Sequence, residues 1–139
     1  MASIIQISEA ASLALHSMVM LAASPDRSLT VKEITSRTGV SESHLSKVMQ
    51  RLAKAGLVKS TRGPKGGFIL GDSGLSTSLL AIFESIEGPM NDTECLLNIS
   101  TCPFRECLFG GLLSRMTAEF KEYMKAKSLG DMIPCKNKE

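Results

Sequence analysis

The stretch from Val40 to Leu70, VSESHLSKVMQRLAKAGLVKSTRGPKGGFIL, restricts the fold more than any other part of the chain. In its first half Leu45, Val48, Met49 and Leu52 recur at the i, i+3, i+4, i+7 spacing of one buried helical face. Ser41 stands ahead of them as an N-cap, and Gly56 follows Ala55 where a helix end takes a left-handed residue. The remaining face carries Ser43, Ser46, Lys47, Gln50, Arg51 and Lys54, which are hydroxyls, an amide and cations without a carboxylate. Two short β-like runs follow, Leu57–Ser60 and Phe68–Leu70, joined through Gly63-Pro64-Lys65-Gly66-Gly67. The glycines permit a hairpin, and Arg62 and Lys65 put positive charge at its tip. A polar-faced helix followed by a basic hairpin is the arrangement of a winged helix, which sets the helix in a DNA groove and the hairpin against the flanking backbone.

The rest of the chain supports that unit. Ser8 caps a first helix to about Ala23 that is apolar on most sides, and Pro25-Asp26 turns the chain. Thr30 and Glu33 have the spacing of a capping box, and the helix they open ends by Gly39, giving helix-turn-helix spacing with the helix after Ser41. After a Gly71–Gly74 loop, Leu79, Ile82, Phe83 and Ile86 mark a fourth helix stopped by Gly88-Pro89. A final helix is expected from about Cys107 to Lys127, with Phe109, Leu112, Leu113, Met116, Phe120, Tyr123 and Met124 as its apolar stripe. Such a stripe can fold back or pair with its copy in a second subunit, and the expected use is an isologous homodimer interface. The fold class is therefore mainly α: a winged helix-turn-helix head with a two-stranded wing, plus a long C-terminal dimerisation helix. The expected division is a DNA-binding head over 1–88, a cysteine-bearing loop over 89–106, and the dimerisation helix and tail over 107–139.

Charge is distributed to match. Residues 27–65 hold nine Lys and Arg against Glu33 and Glu42, a net of +7, whereas residues 75–139 hold seven basic and nine acidic side chains, a net of −2. A localised positive field is what a phosphate-binding face requires, and double-stranded DNA is the expected partner. The expected contacts are Ser41, Ser43, His44, Ser46, Lys47, Arg51, Lys59, Arg62 and Lys65. An enzyme is not expected, for no nucleophile–base pair, paired carboxylates or phosphate-cradling loop can be picked out. No stretch is long and apolar enough to span a membrane and no signal-type apolar core opens the chain, so the expected location is the cytoplasm.

In that compartment disulfides are uncommon. Cys95, Cys102 and Cys107 fall within thirteen positions, beside Pro103 and ahead of Gly110-Gly111, and can converge on one inorganic centre. Thiolates are the usual ligands of iron–sulfur clusters, although zinc and a thiol–disulfide switch use the same donors. Any one of these cysteines can also be a small apolar filler. Cys135, behind Pro134 in a polar tail, is a poor fourth ligand.

These residues resemble the IscR/NsrR (Rrf2-type) family of winged-helix regulators, from Ile7 to Ile133. The likeness is strongest in SESHLSKVMQRLAKAGLVKSTRGPKGGFIL, the three cysteines and LFGGLLSRM…SLGDMI. It implies a homodimeric repressor with crossed C-terminal helices, gated by an iron–sulfur cluster, of the four-iron or two-iron type, that responds to redox state, nitric oxide or cluster supply. By this resemblance Ser43 and Ser46 meet base edges, Arg62 enters the minor groove, and Cys95, Cys102 and Cys107 hold the cluster. Some members have glutamate at the position of Ser46, so the operator does not transfer. The cluster-biogenesis regulator has a histidine where this chain has Gly110, and the nitric-oxide sensors have a partner-subunit aspartate where it has Ser12, a poor ligand. His16, or failing it Glu9, shares a helical face with Ser12 and is the expected fourth ligand across the dimer. A lone histidine on an apolar helix is more often a hydrogen-bonded core residue than a ligand. The rival reading is a metal- or thiol-bearing winged-helix interaction protein without sequence-specific DNA binding.

Overall fold

Backbone satisfaction at helix ends sets the element boundaries. The computed structural model describes residues 6–64, 66–90, 97 and 102–134. Helix α1 spans Glu9–Ala22, and the Ser8 hydroxyl accepts from the Ala11 N–H at 3.0 Å. Helix α2, Val31–Thr38, opens with the expected capping box: Thr30 Oγ1 accepts from the Glu33 N–H, and Glu33 Oε2 accepts from the Thr30 N–H at 2.8 Å. These bonds and the Arg27 guanidinium hold the Glu33 carboxyl below its ordinary range. Gly39 lies between α2 and the next helix with φ 73°, a left-handed value that glycine adopts without a Cβ penalty. Helix α3 then runs Glu42–Lys54, capped by Ser41 through the His44 N–H.

The wing consists of strands β1, Val58–Thr61, and β2, Gly67–Leu70, paired antiparallel with Val58 opposite Leu70 and Thr61 opposite Gly67. It is welded to the helical head by a reciprocal backbone pair: Leu29 N–H donates to Phe68 C=O at 3.0 Å, and Phe68 N–H donates to Leu29 C=O at 2.8 Å. That approach explains one wing glycine, because a Cβ on Gly67 would sit 2.3 Å from the Leu29 carbonyl oxygen.

Helix α4, Leu79–Glu87, packs on α1 and α3. Met18, Ile34, Leu45, Met49, Leu52 and Ile82 are fully buried, so the core is the aliphatic, methionine-bearing one that an aromatic content of 4% demands. Among the described residues no helix is long and apolar enough to cross a membrane.

The C-terminal region departs from expectation in two ways. Helix α5 spans Leu112–Ala126 rather than starting at Cys107, because Gly110 (φ 54°) and Gly111 (φ 78°) both take left-handed conformations that a helix cannot contain. Cys107 and Phe109 therefore lie in the turn before it, where the Leu112 N–H donates to Phe109 C=O. A short helix α6, Leu129–Met132, follows, with Ser128 and Asp131 forming a second capping box.

The apolar stripe divides accordingly. Met124 and Leu129 are buried against the chain's own head, and Phe120 meets Phe83 edge-to-face at 5.4 Å between ring centres. Leu79 N–H to Lys127 C=O and Leu129 N–H to Thr77 C=O lock this end in place. Phe109, Leu112 and Tyr123 remain exposed. Replacing Gly67 with alanine is expected to destabilise the protein by about 1–3 kcal/mol, from overpacking against a backbone that cannot retreat. Equilibrium urea unfolding checks this through a lowered midpoint at unchanged slope.

Candidate nucleic-acid interface and thiol segment

Burial of Leu45, Val48, Met49 and Leu52 fixes the roll of α3 and leaves Ser43, Lys47, Gln50, Arg51 and Lys54 exposed, with His44 and Ser46 half-buried. The first turn is ordered by Ser41, whose hydroxyl caps the helix and lies 3.4 Å from the Ser43 hydroxyl. Arg62 is exposed at the end of β1, beside Gly63, whose φ of 107° turns the chain. Lys65 lies outside the described residues. Hydroxyls and cations at the N-terminal part of a helix, with a cation on an adjacent hairpin, suit base edges and phosphates respectively.

Three of the expected contacts, beyond the Ser41–Ser43 hydroxyl pair, have partners on other segments of the chain. Lys59 pairs with Asp72 at the base of the wing and holds the Asp72 carboxyl below its usual range, chiefly through their hydrogen bond. His44 Nδ1 lies 3.8 Å from Glu9 Oε1 on α1. Arg51 Nη2 donates to the Ile86 carbonyl at the end of α4. Arg27, counted in the basic segment, is paired with Glu33 at 2.6 Å. Sequence spacing gave no signal for the Glu9–His44 and Arg51–Ile86 pairs, which join separate helices. Lys59 and Asp72 flank one hairpin, so its register held the clue.

Cys102 and Cys107 are both exposed free thiols, on a segment without helix or strand. Cys95 and Cys135 lie outside the described residues. Among the described residues no three His, Cys, Asp or Glu side chains cluster to hold a metal. As donors Cys102 and Cys107 fit an iron–sulfur cluster or zinc, being soft, accessible and unconstrained by secondary structure, but two thiols alone leave the donor set incomplete.

His16 is exposed, and the structure does not bring it together with those thiols. It lines a groove of about 280 Å³ between α1 and α2, with Glu9, Ser12 and Arg37. Its Nδ1 is 2.7 Å from Ser12 C=O. A carbonyl only accepts, so this bond requires the proton on Nδ1 and leaves the lone pair on Nε2 in the neutral ring, the arrangement of a ligating histidine.

The expected dimer-interface residues also separate. Leu113, Met116 and Phe120 line an apolar slot of about 230 Å³ with Ile7, Phe83 and Met90, whereas Phe109, Leu112 and Tyr123 face outward.

Residues 7–134 match the profile of Rrf2, an iron-dependent transcriptional regulator. The chain belongs to the Rrf2 family. Among Rrf2 relatives, the HTH-type transcriptional regulator IscR of Vibrio vulnificus (strain YJ016) is 28% identical over 101 residues, covering 73% of this chain and 60% of that protein. The chain thus spans less than two thirds of that relative's length. Among solved structures, the global cysteine regulator CymR of B. subtilis superposes with a TM-score of 0.75 at 27% identity, covering 93% of this chain and 96% of that one. IscR of T. potens gives 0.73 at 26% identity, covering 92% and 85%. The winged-helix fold expected from the sequence is the fold of these Rrf2 regulators.

If Arg62 meets a phosphate or enters a groove, Arg62→Ala weakens binding to duplex DNA and reduces the slope of log K against log salt by about 1. Fluorescence anisotropy titrations at several salt concentrations check this against the unaltered chain.

Proposed function

We propose that this protein is a homodimeric DNA-binding repressor whose operator affinity is gated by an iron–sulfur cluster held by Cys95, Cys102 and Cys107. The observation that carries the DNA-binding half is α3, with its hydroxyl- and cation-bearing face exposed beside a wing ending in Arg62. Lys47, Arg62 and Lys65 neutralise phosphates, while Ser43 and Ser46 meet base edges. Two heads related by a two-fold axis address half-sites about 34–36 Å apart, and Phe109, Leu112 and Tyr123 supply the exposed apolar side chains for pairing.

The sensing half rests on the exposed Cys102 and Cys107 just ahead of Gly110-Gly111, and on the Rrf2 family's iron-dependent regulators. When bound, the cluster supplies a centre sensitive to redox state and nitric oxide. The chain's own part is mechanical. Gaining or losing the ligated centre would reposition the chain after Gly88, and with it the spacing or tilt of the two heads. His16 offers Nε2 from α1 as the fourth donor across the dimer, with Ser12 C=O orienting its ring. A useful switch needs a coupling of about 1–3 kcal/mol, or about 5–150-fold in affinity.

A second reading is favoured by the likeness to the B. subtilis cysteine regulator and by the exposure of both described thiols. In it the cysteines act as a thiol switch, or hold zinc, and no cluster forms.

Anaerobic isolation separates the two. The cluster reading expects visible absorption and stoichiometric iron and sulfide, with operator affinity changing at least about fivefold on cluster removal. A colourless preparation whose binding changes only on thiol oxidation overturns it in favour of the thiol switch. His16→Ala should retain apo DNA affinity and accelerate cluster loss. An unchanged spectrum and decay rate removes His16 from the ligand set.

A further inference from the structure

The final turn of α4 is held from two sides at the point where the chain leaves the head. Ile86 C=O is among the last four carbonyls of α4, which lack partners within their own helix, and it accepts from Arg51 Nη2 on the last turn of α3. A guanidinium there also opposes the negative end of the helix dipole. The next residue, Glu87, accepts through its carboxylate from the hydroxyl of Ser8, the N-cap of α1. Gly88, with φ 83°, ends the helix through its N–H to Glu84 C=O at 2.9 Å. The Met90 N–H then donates to Glu84 Oε2 at 3.3 Å, so the first residues of the thiol segment are tied back to α4.

We propose that Arg51 is a positioning residue rather than a phosphate contact, and that it transmits displacement of the chain at Gly88 to the C-terminal turn of α3. Three observations converge on this role. One N–H of the guanidinium is committed to a helix-end carbonyl that has no partner within its own helix. That carbonyl belongs to a residue whose side chain is buried in the core, so movement of the α4 terminus is not absorbed by a loop. And α3 carries Lys47 and Lys54 on the same helix, so a change in its tilt redirects the exposed face as a unit. The gating part of this inference rests on the proposed cluster-dependent regulation, whereas the assignment of Arg51 away from phosphate does not.

The test uses the full chain, an operator fragment, and Arg51→Met beside Arg62→Ala. Arg51→Met is expected to keep the salt slope of the unaltered protein, where Arg62→Ala loses about 1. It is also expected to speed amide exchange at Gly88 and to bring the ratio of holo to apo affinity toward unity. A slope lowered by about 1, or unchanged exchange at Gly88, overturns the assignment. A full holo-to-apo ratio in the variant overturns the transmission. If the unaltered protein itself binds equally in both forms, the cluster-gating reading fails, and the transmission proposal falls with it. Slope and exchange still decide what Arg51 does. Circular dichroism melting of each variant identifies any loss of folding.

Discussion

The burial of one side of α3 is the constraint on which the remaining geometry depends. Leu45, Val48, Met49 and Leu52 are withdrawn from water, and each such side chain contributes about 1.5–3 kcal/mol when fully buried. The energy resists rotation of the helix about its axis, because a rotation that exposed one of them would put a polar neighbour into the core. The orientation of Ser43, Ser46 and Lys47 is therefore a consequence of aliphatic packing, not of any contact they make themselves. The reciprocal bonds between Leu29 and Phe68 do the equivalent for the wing, fixing where Arg62 is presented relative to the head.

Local rules made most of this legible. Ser8, Thr30 with Glu33, Ser41 and Gly39 each act over one turn, and each does in the structure what its spacing implied. The hairpin was readable because Gly63 and Gly67 bracket its turn and the flanking runs are β-prone. The start of α5 was less so. The apolar spacing of Phe109 with Leu112 and Leu113 continues a helical stripe, yet two successive left-handed glycines interrupt it, and periodicity carries no information about φ. Helix α6 escaped notice because four residues are too few to show a period, although Ser128 and Asp131 have capping-box spacing.

The candidate site was legible by type and illegible by partner. A cationic side chain on an exposed face reads as available, but Lys59 and Arg51 each have an acceptor brought near by the fold. The exposed ion pair at Lys59 is weak and yields readily to a phosphate, whereas a carbonyl at a helix end persists in its demand for a donor. Sequence alone gives both residues the same charge and hence the same apparent role. His16 shows the reverse case: its neighbourhood with Glu9 and Ser12 follows from helical spacing, while the ring's orientation toward Ser12 C=O required the structure.

The anchoring of α5 is one-sided. Lys127, Leu129 and the Phe83–Phe120 ring pair hold its C-terminal part against α4 and the link before it, while toward its start Leu113 and Met116 only line an apolar slot and Leu112 is exposed. Its hydrogen-bonded clamp to the head thus lies at one end. The clamp acts on Thr77 and Ser78, the short link between wing and α4, so displacement of the helix is felt there first. Rigidity that at first sight only completes a hydrophobic core therefore also couples a helix of 15 residues to the link between β2 and α4.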